Sequence, residues 1–173
     1  MAPQRRIDRV LDPAYRAEVD SCSLDELRQR HAELLEIETE VSYVRRLAQG
    51  RLDILRAEID RRAAGRPVSD LIADLPAILA DDGPSAGVAA SNLPRLLAPS
   101  MSIEWNRGLE PLVSDATLAN LPTLSDGELR EAIGRLEELE REVSATRRQL
   151  HGILDAVKGA LGEQFRVDPA ESR

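Results

Sequence analysis

The sequence predicts an all-α protein: two long helices pairing as an antiparallel coiled-coil hairpin, with a short apolar helix and an irregular segment between them. Three observations point there. Aromatic residues are 2% of the 173 positions and charged residues 31%, a composition suited to thin helices that bury a narrow seam. Apolar residues recur at every seventh position in two separate stretches. The two stretches also superpose without a gap at a shift of 102 positions, as Ser23 on Ser125 illustrates.

Residues 1–20 are charged, contain Pro3 and Pro13, and read as a flexible N-terminal arm. The first long helix is assigned to 21–65, its regular part from about 23 to 63. Ser23 followed three places later by Glu26 is a capping box that opens it. Leu27, Leu34, Val41, Ala48 and Leu55 form its seam, with Ile37 and Val44 between them and weak points at Arg30, Arg51 and Glu58. Gly65-Arg66-Pro67 ends it.

The connecting segment, 66–122, opens with an apolar stretch, Val68 to Ala80, expected to be a short helix interrupted near Pro76. Asp81 to Asn92 reads as linker, followed by small apolar islands on either side of Trp105. Trp105 suits a partner anchor and a clasp onto the coil equally well. A two-helix coil cannot bury all the Leu, Ile and Val of this segment, so part is expected on the coil and part against a partner. The second long helix, 123–163, is opened by Ser125 and Glu128 and carries its seam on Leu129, Leu136, Val143, Leu150 and Val157. Residues 164–173 are expected to be a frayed tail.

Composition also narrows function. A net charge of −8 argues against direct DNA binding, which needs a basic surface, and suits a partner protein with a basic one. The single Cys22 excludes an intrachain disulfide and a cysteine-based zinc site, so no metal is expected. No apolar run is long enough to span a bilayer and none opens the chain, so the expectation is a cytoplasmic protein away from membranes. There is no phosphate loop, dinucleotide fingerprint, zinc-protease motif or nucleophile–base pair, and hence no enzyme reading. His31, whose repeat mate is Ile133, reads as a packed side chain.

The residues that carry chemistry form a repeated stripe. The first copy is Glu38, Ser42, Arg45, Gln49 and Asp53; the second is Glu140, Ser144, Arg147, His151 and Asp155. Steps of 4, 3, 4 and 4 keep five residues within an arc of roughly 80° beside the seam. Such a patch suits a planar base bearing phosphates. Arginine offers a two-pronged donor that fits guanine O6 and N7, and a carboxylate accepts from the N1–H and 2-amino edge. Ser, Gln and His can donate to phosphate oxygens. The same residue types also fill ordinary solvated helix faces. Gly50 and Gly152, one in each copy, allow close approach by a ligand or partner, or were simply inherited through the duplication.

The doubled Glu-x3-Ser-x2-Arg-x3-Gln-x3-Asp signature resembles that of the RsiG family of actinobacterial anti-sigma factors. The resemblance implies an antiparallel coiled coil that binds cyclic di-GMP and, so loaded, sequesters a WhiG-type sigma factor of sporulation, regulating transcription. All five first-copy residues fit the signature; in the second copy His151 stands where Gln is expected, so the two halves are expected to bind unequally. Arg45, Arg46, Arg147 and Arg148 would balance two cyclic di-GMP molecules, offset by Glu38, Glu40, Glu140 and Glu142. With both copies in one chain, the expected state is a monomeric coil bound to its sigma factor. The alternative is a ligand-independent coiled-coil adaptor, in which the stripe tolerates alanine while seam residues do not.

Overall fold

Both long helices begin at their capping boxes. The computed structural model describes residues 5–80, 118 and 120–167, and every regular element among them is helical. Helix α1 spans Arg6–Val10, α2 Pro13–Ala17, α3 Leu24–Ala63, α4 Val68–Ile78 and α5 Asp126–Val167. Before α3 the Ser23 N–H donates to the Glu26 carboxylate at 2.8 Å, and the Glu26 N–H returns to the Ser23 hydroxyl at 3.4 Å. Before α5 the same reciprocal pair joins Ser125 and Glu128 at 2.7 and 3.3 Å. Each box satisfies N–H groups that a helix start leaves without a partner. The backbone N–H of Ser23 or Ser125, then the same residue's hydroxyl, holds each carboxyl below its ordinary range.

At its other end α3 stops at Gly65, whose φ of 64° is the left-handed conformation that glycine adopts at no steric cost. Gly65 N–H bonds the Arg62 carbonyl and Arg66 N–H the Arg61 carbonyl, both at 3.0 Å, closing a Schellman cap.

The chain's contacts divide it into two units, residues 1–42 with 144–173, and residues 43–143. Helices α3 and α5 pack against each other antiparallel in each. In the first unit, Gln164 donates to the Cys22 carbonyl at 2.8 Å while Arg147 reaches Glu38 at 3.0 Å. In the second, Arg56 bonds Glu137 at 2.7 Å and Arg62 bonds Asp126 at 2.9 Å. The predicted seam is the core: Leu27, Leu34, Val41, Ala48 and Leu55 are buried on α3, and Leu129, Leu136, Val143, Leu150 and Val157 on α5. Ile37 joins them, and Val44 is half-buried.

Three expectations need correction. The N-terminal arm is not loose over residues 5–22: α1, α2 and a 3₁₀ turn at Val19–Ser21 bury Val10, Tyr15 and Val19. Arg6 bonds Glu36 at 2.8 Å, and Arg9 pairs with Glu33. Arg30, a weak point in the seam pattern, donates to the Tyr15 carbonyl and to Glu18, both at 2.8 Å, with its guanidinium 4.4 Å from the Tyr15 ring centre. Its charge fastens the arm instead of filling the seam. The tail is also shorter than expected, because α5 continues to Val167 and Arg28 stacks over Phe165 at 5.5 Å. Third, α4 is not interrupted by Pro76; it runs through that residue to Ile78. The proline lies in the last turn, where only one intrahelical bond is forgone.

The expected linker Asp81–Asn92, the apolar islands and Trp105 lie outside the described residues. His31 is half-buried, as is its repeat mate Ile133.

The two repeat glycines now part company. A side-chain carbon on Gly50 would meet Leu79 Cδ2 at 3.4 Å, whereas one on Gly152 would meet nothing within 4 Å among the described residues. Gly152→Ala should therefore stabilise the fold by about 0.5–1 kcal/mol, the helix-propensity difference, and Gly50→Ala by less. Thermal melts followed by helical circular dichroism check this, and a Gly152→Ala melt no higher than the parent's would refute it.

Candidate ligand-binding site

The repeat and the antiparallel pairing together create reciprocal contacts. Because the copies are 102 residues apart, a contact from Glu38 to Arg147 has a mate from Glu140 to Arg45. Each unit holds one of the pair.

In the first unit the contact is closed. Arg147 Nε donates to Glu38 Oε1 at 3.0 Å and to the Ser42 hydroxyl at 2.8 Å. Ser42 donates to the same Glu38 oxygen at 2.7 Å, and His151 Nε2 lies 3.2 Å from it. Burial pushes the Glu38 carboxyl up, but hydrogen bonds from Ser42, His151 and Arg147 together hold it below its ordinary range. Glu38 is thus an ionised acceptor at neutral pH, with three donors converging on one oxygen. Asp155 is exposed and takes part in no hydrogen bond or ion pair among the described residues.

In the second unit the mate is looser. Arg45 Nη1 stands 4.0 Å from Glu140 Oε1, and the buried Arg45 Nε has no hydrogen-bond acceptor. Gln49 is half-exposed and Asp53 exposed; neither enters a hydrogen bond or ion pair among the described residues. Ser144, back in the first unit, is half-buried. The structure therefore gathers Glu38, Ser42, Arg147 and His151 into one hydrogen-bonded cluster and sets Arg45 opposite Glu140. Asp53 and Asp155 present their carboxylates outward.

Chemically, the Glu38 cluster pairs a forked cation with a carboxylate beside a small donor, and the Arg45–Glu140 pair repeats the cation and the carboxylate, both flanking an apolar seam. A guanidinium fork has the geometry to meet two acceptors on one planar edge. Sequence reasoning missed the carboxylate-to-arginine link between the copies, which depends on the antiparallel register. It also missed the groove that α4 adds beside Gln49; the glycine at position 50 was the available signal.

Among the described residues there is no group of three or more His, Cys, Asp or Glu able to hold a metal, and no helix long and apolar enough to cross a membrane.

A helical hairpin with a repeated polar stripe beside its apolar seam defines a coiled-coil protein. The chain matches the family model described as RsiG-like over residues 13–79 and 115–171, and so belongs to the RsiG-like family. That membership brings an anti-sigma role as the class of function, with a sigma factor in general as partner. No curated protein matches the chain.

Proposed function

We propose that this chain is a cytoplasmic, non-enzymatic anti-sigma factor that binds cyclic di-GMP through its two stripes and, when loaded, sequesters a WhiG-type sigma factor, repressing its sporulation genes. The observation that carries the reading is the reciprocal pairing of the copies, Glu38 with Arg147 and Arg45 with Glu140. The repeat and the antiparallel register set a forked cation against a carboxylate of the opposite copy in both units, a doubled setting that suits a ligand carrying two like bases.

In this reading Arg45 and Arg147 offer their forks to the O6 and N7 edge of guanine, and Asp53 and Asp155 accept from its N1–H and 2-amino edge. Ser42, Ser144, Gln49 and His151 donate to phosphate oxygens. Glu38 keeps Arg147 extended and ready, and gives way when the base arrives. Loaded nucleotide completes the surface that the sigma factor meets, so sigma and ligand must tighten each other's binding by the same factor. Both copies act in cis, in a monomeric coil. The acidic chain suits a sigma factor's basic, nucleic-acid-facing surface.

One observation favours the adaptor reading instead: the Glu38 cluster is already satisfied without a ligand. Calorimetric titration of the full chain with cyclic di-GMP separates the two, alone and with the sigma factor, using cyclic di-AMP as control. Binding of the guanine form alone, tightened by sigma, is expected. Absence of heat with either nucleotide, with sigma present too, leaves the adaptor.

A further inference from the structure

Within the second unit, α3, the end of α4 and α5 enclose an open groove of about 1050 Å³. Its lining includes Gln49 and Asp53 of the stripe and Glu140 of the other copy, but also Ile78 and Leu79 from the end of α4. Nothing in the signature motif includes α4. Leu79 is 52% exposed and its Cδ2 lies against position 50, 3.4 Å from where a side-chain carbon on Gly50 would stand. An apolar wall thus stands over a ledge whose polar groups, Gln49 and Asp53, are uncommitted among the described residues.

Arg46 lines the same groove. The neighbouring cations are engaged: Arg56 bonds Glu137 at 2.7 Å and Arg141 pairs with Glu138. Arg46 enters no ion pair among the described residues, so it can meet an anion without breaking an existing pair. The α4 dipole supplies direction. Its C-terminal carbonyls carry partial negative charge, which repels phosphate and favours the N–H edge of a base. A purine dinucleotide placed here has its base against Leu79 and its phosphate toward Arg46.

Among the described residues the second copy has no such seat: none comes within 4 Å of a side-chain carbon on Gly152, and Arg147 and His151 are already drawn onto Glu38.

We infer that the end of α4 belongs to the ligand site: Leu79 backs a purine face at the wall of the groove, Arg46 takes a phosphate, and the first copy's stripe outbinds the second. This rests on the nucleotide-binding reading above. It adds two residues outside the signature and an order of loading.

The test is calorimetric titration of the full chain with cyclic di-GMP, with and without the sigma factor, for Leu79→Ser, Arg46→Ala and the repeat-mate control Arg148→Ala. Leu79 and Arg46 lie outside the buried core, and a melt confirms that each variant folds. Leu79→Ser and Arg46→Ala should each weaken the tighter binding event by roughly tenfold, equivalent to about 1.4 kcal/mol, while Arg148→Ala leaves it in place. Normal binding by both groove variants, or equal losses in all three, overturns the inference and leaves the ligand reading standing. A parent chain that binds no nucleotide even with sigma overturns both.

Discussion

Replacing Arg45 and Arg147 together by alanine should weaken cyclic di-GMP binding by more than about a hundredfold, because each well-placed bidentate arginine–base contact accounts for about 1–3 kcal/mol. The melting temperature should move little. Arg45 makes only a long contact to Glu140, and Glu38 keeps Ser42 and His151 after Arg147 is gone. Lysine at both positions should not restore binding. It keeps the charge but lacks the planar fork that matches two acceptors on one base edge. Sigma capture should fall in parallel, since coupling through the ligand is mutual. Calorimetry of the double variant, with cyclic di-GMP and with sigma plus nucleotide, checks both statements. If the double-alanine chain still binds nucleotide at parental strength, the stripe is not the site. If lysine rescues it fully, charge alone operates and the base-edge assignment is wrong.

The hairpin was legible because its determinants are local and periodic. Heptad spacing marks Leu27 to Leu55 and Leu129 to Val157, capping boxes mark both starts, and Gly65 marks a stop. What escaped was of two kinds. Short helices give no period: α1 and α2 are five residues each, and the one sign of α2 was Asp12 before Pro13, whose carboxylate accepts from the Ala14 N–H at 2.9 Å. Charged residues at seam positions were read as weaknesses, although Arg30 and Glu58 anchor neighbouring chain. A heptad pattern records how well a residue fills a seam and is blind to a long side chain that reaches past it. The stripe was legible as a list because duplication repeats it in register. Its pairing was not, since Glu38 meets Arg147 only once the second helix runs backwards. The wall at Gly50 needed α4 in place, and nothing near Leu79 in the sequence announces it.

Glu58→Gln should destabilise the fold by about 2–3 kcal/mol near neutral pH, since it removes the buried charge on which two arginines converge. Glu58 is 1% exposed at a seam position. Its two carboxylate oxygens accept from Arg61 at 2.7 and 2.8 Å and from Arg62 at 2.6 Å. Arg62 in turn donates to Asp126 and to the Leu121 and Leu124 carbonyls, fastening the last turn of α3 to the start of α5 within the second unit. The bond from Arg61 holds the Glu58 carboxyl below its ordinary range; burial opposes it and Arg62 reinforces it. A carboxyl depressed in the folded state stabilises fully above its unfolded pKa of about 4.3, and that stability is lost as pH falls through the lower folded value. The gap between parent and Glu58→Gln should therefore be widest near pH 7 and shrink in acid. Thermal melts at steps from pH 7 to pH 3 measure it, with an expected gap at neutral pH of about 4–12 °C for a chain of this size. A gap that stays constant across that range would mean that Glu58 acts by shape and not by charge. A gap of zero would mean that Asp126 and the two carbonyls hold Arg62 without it.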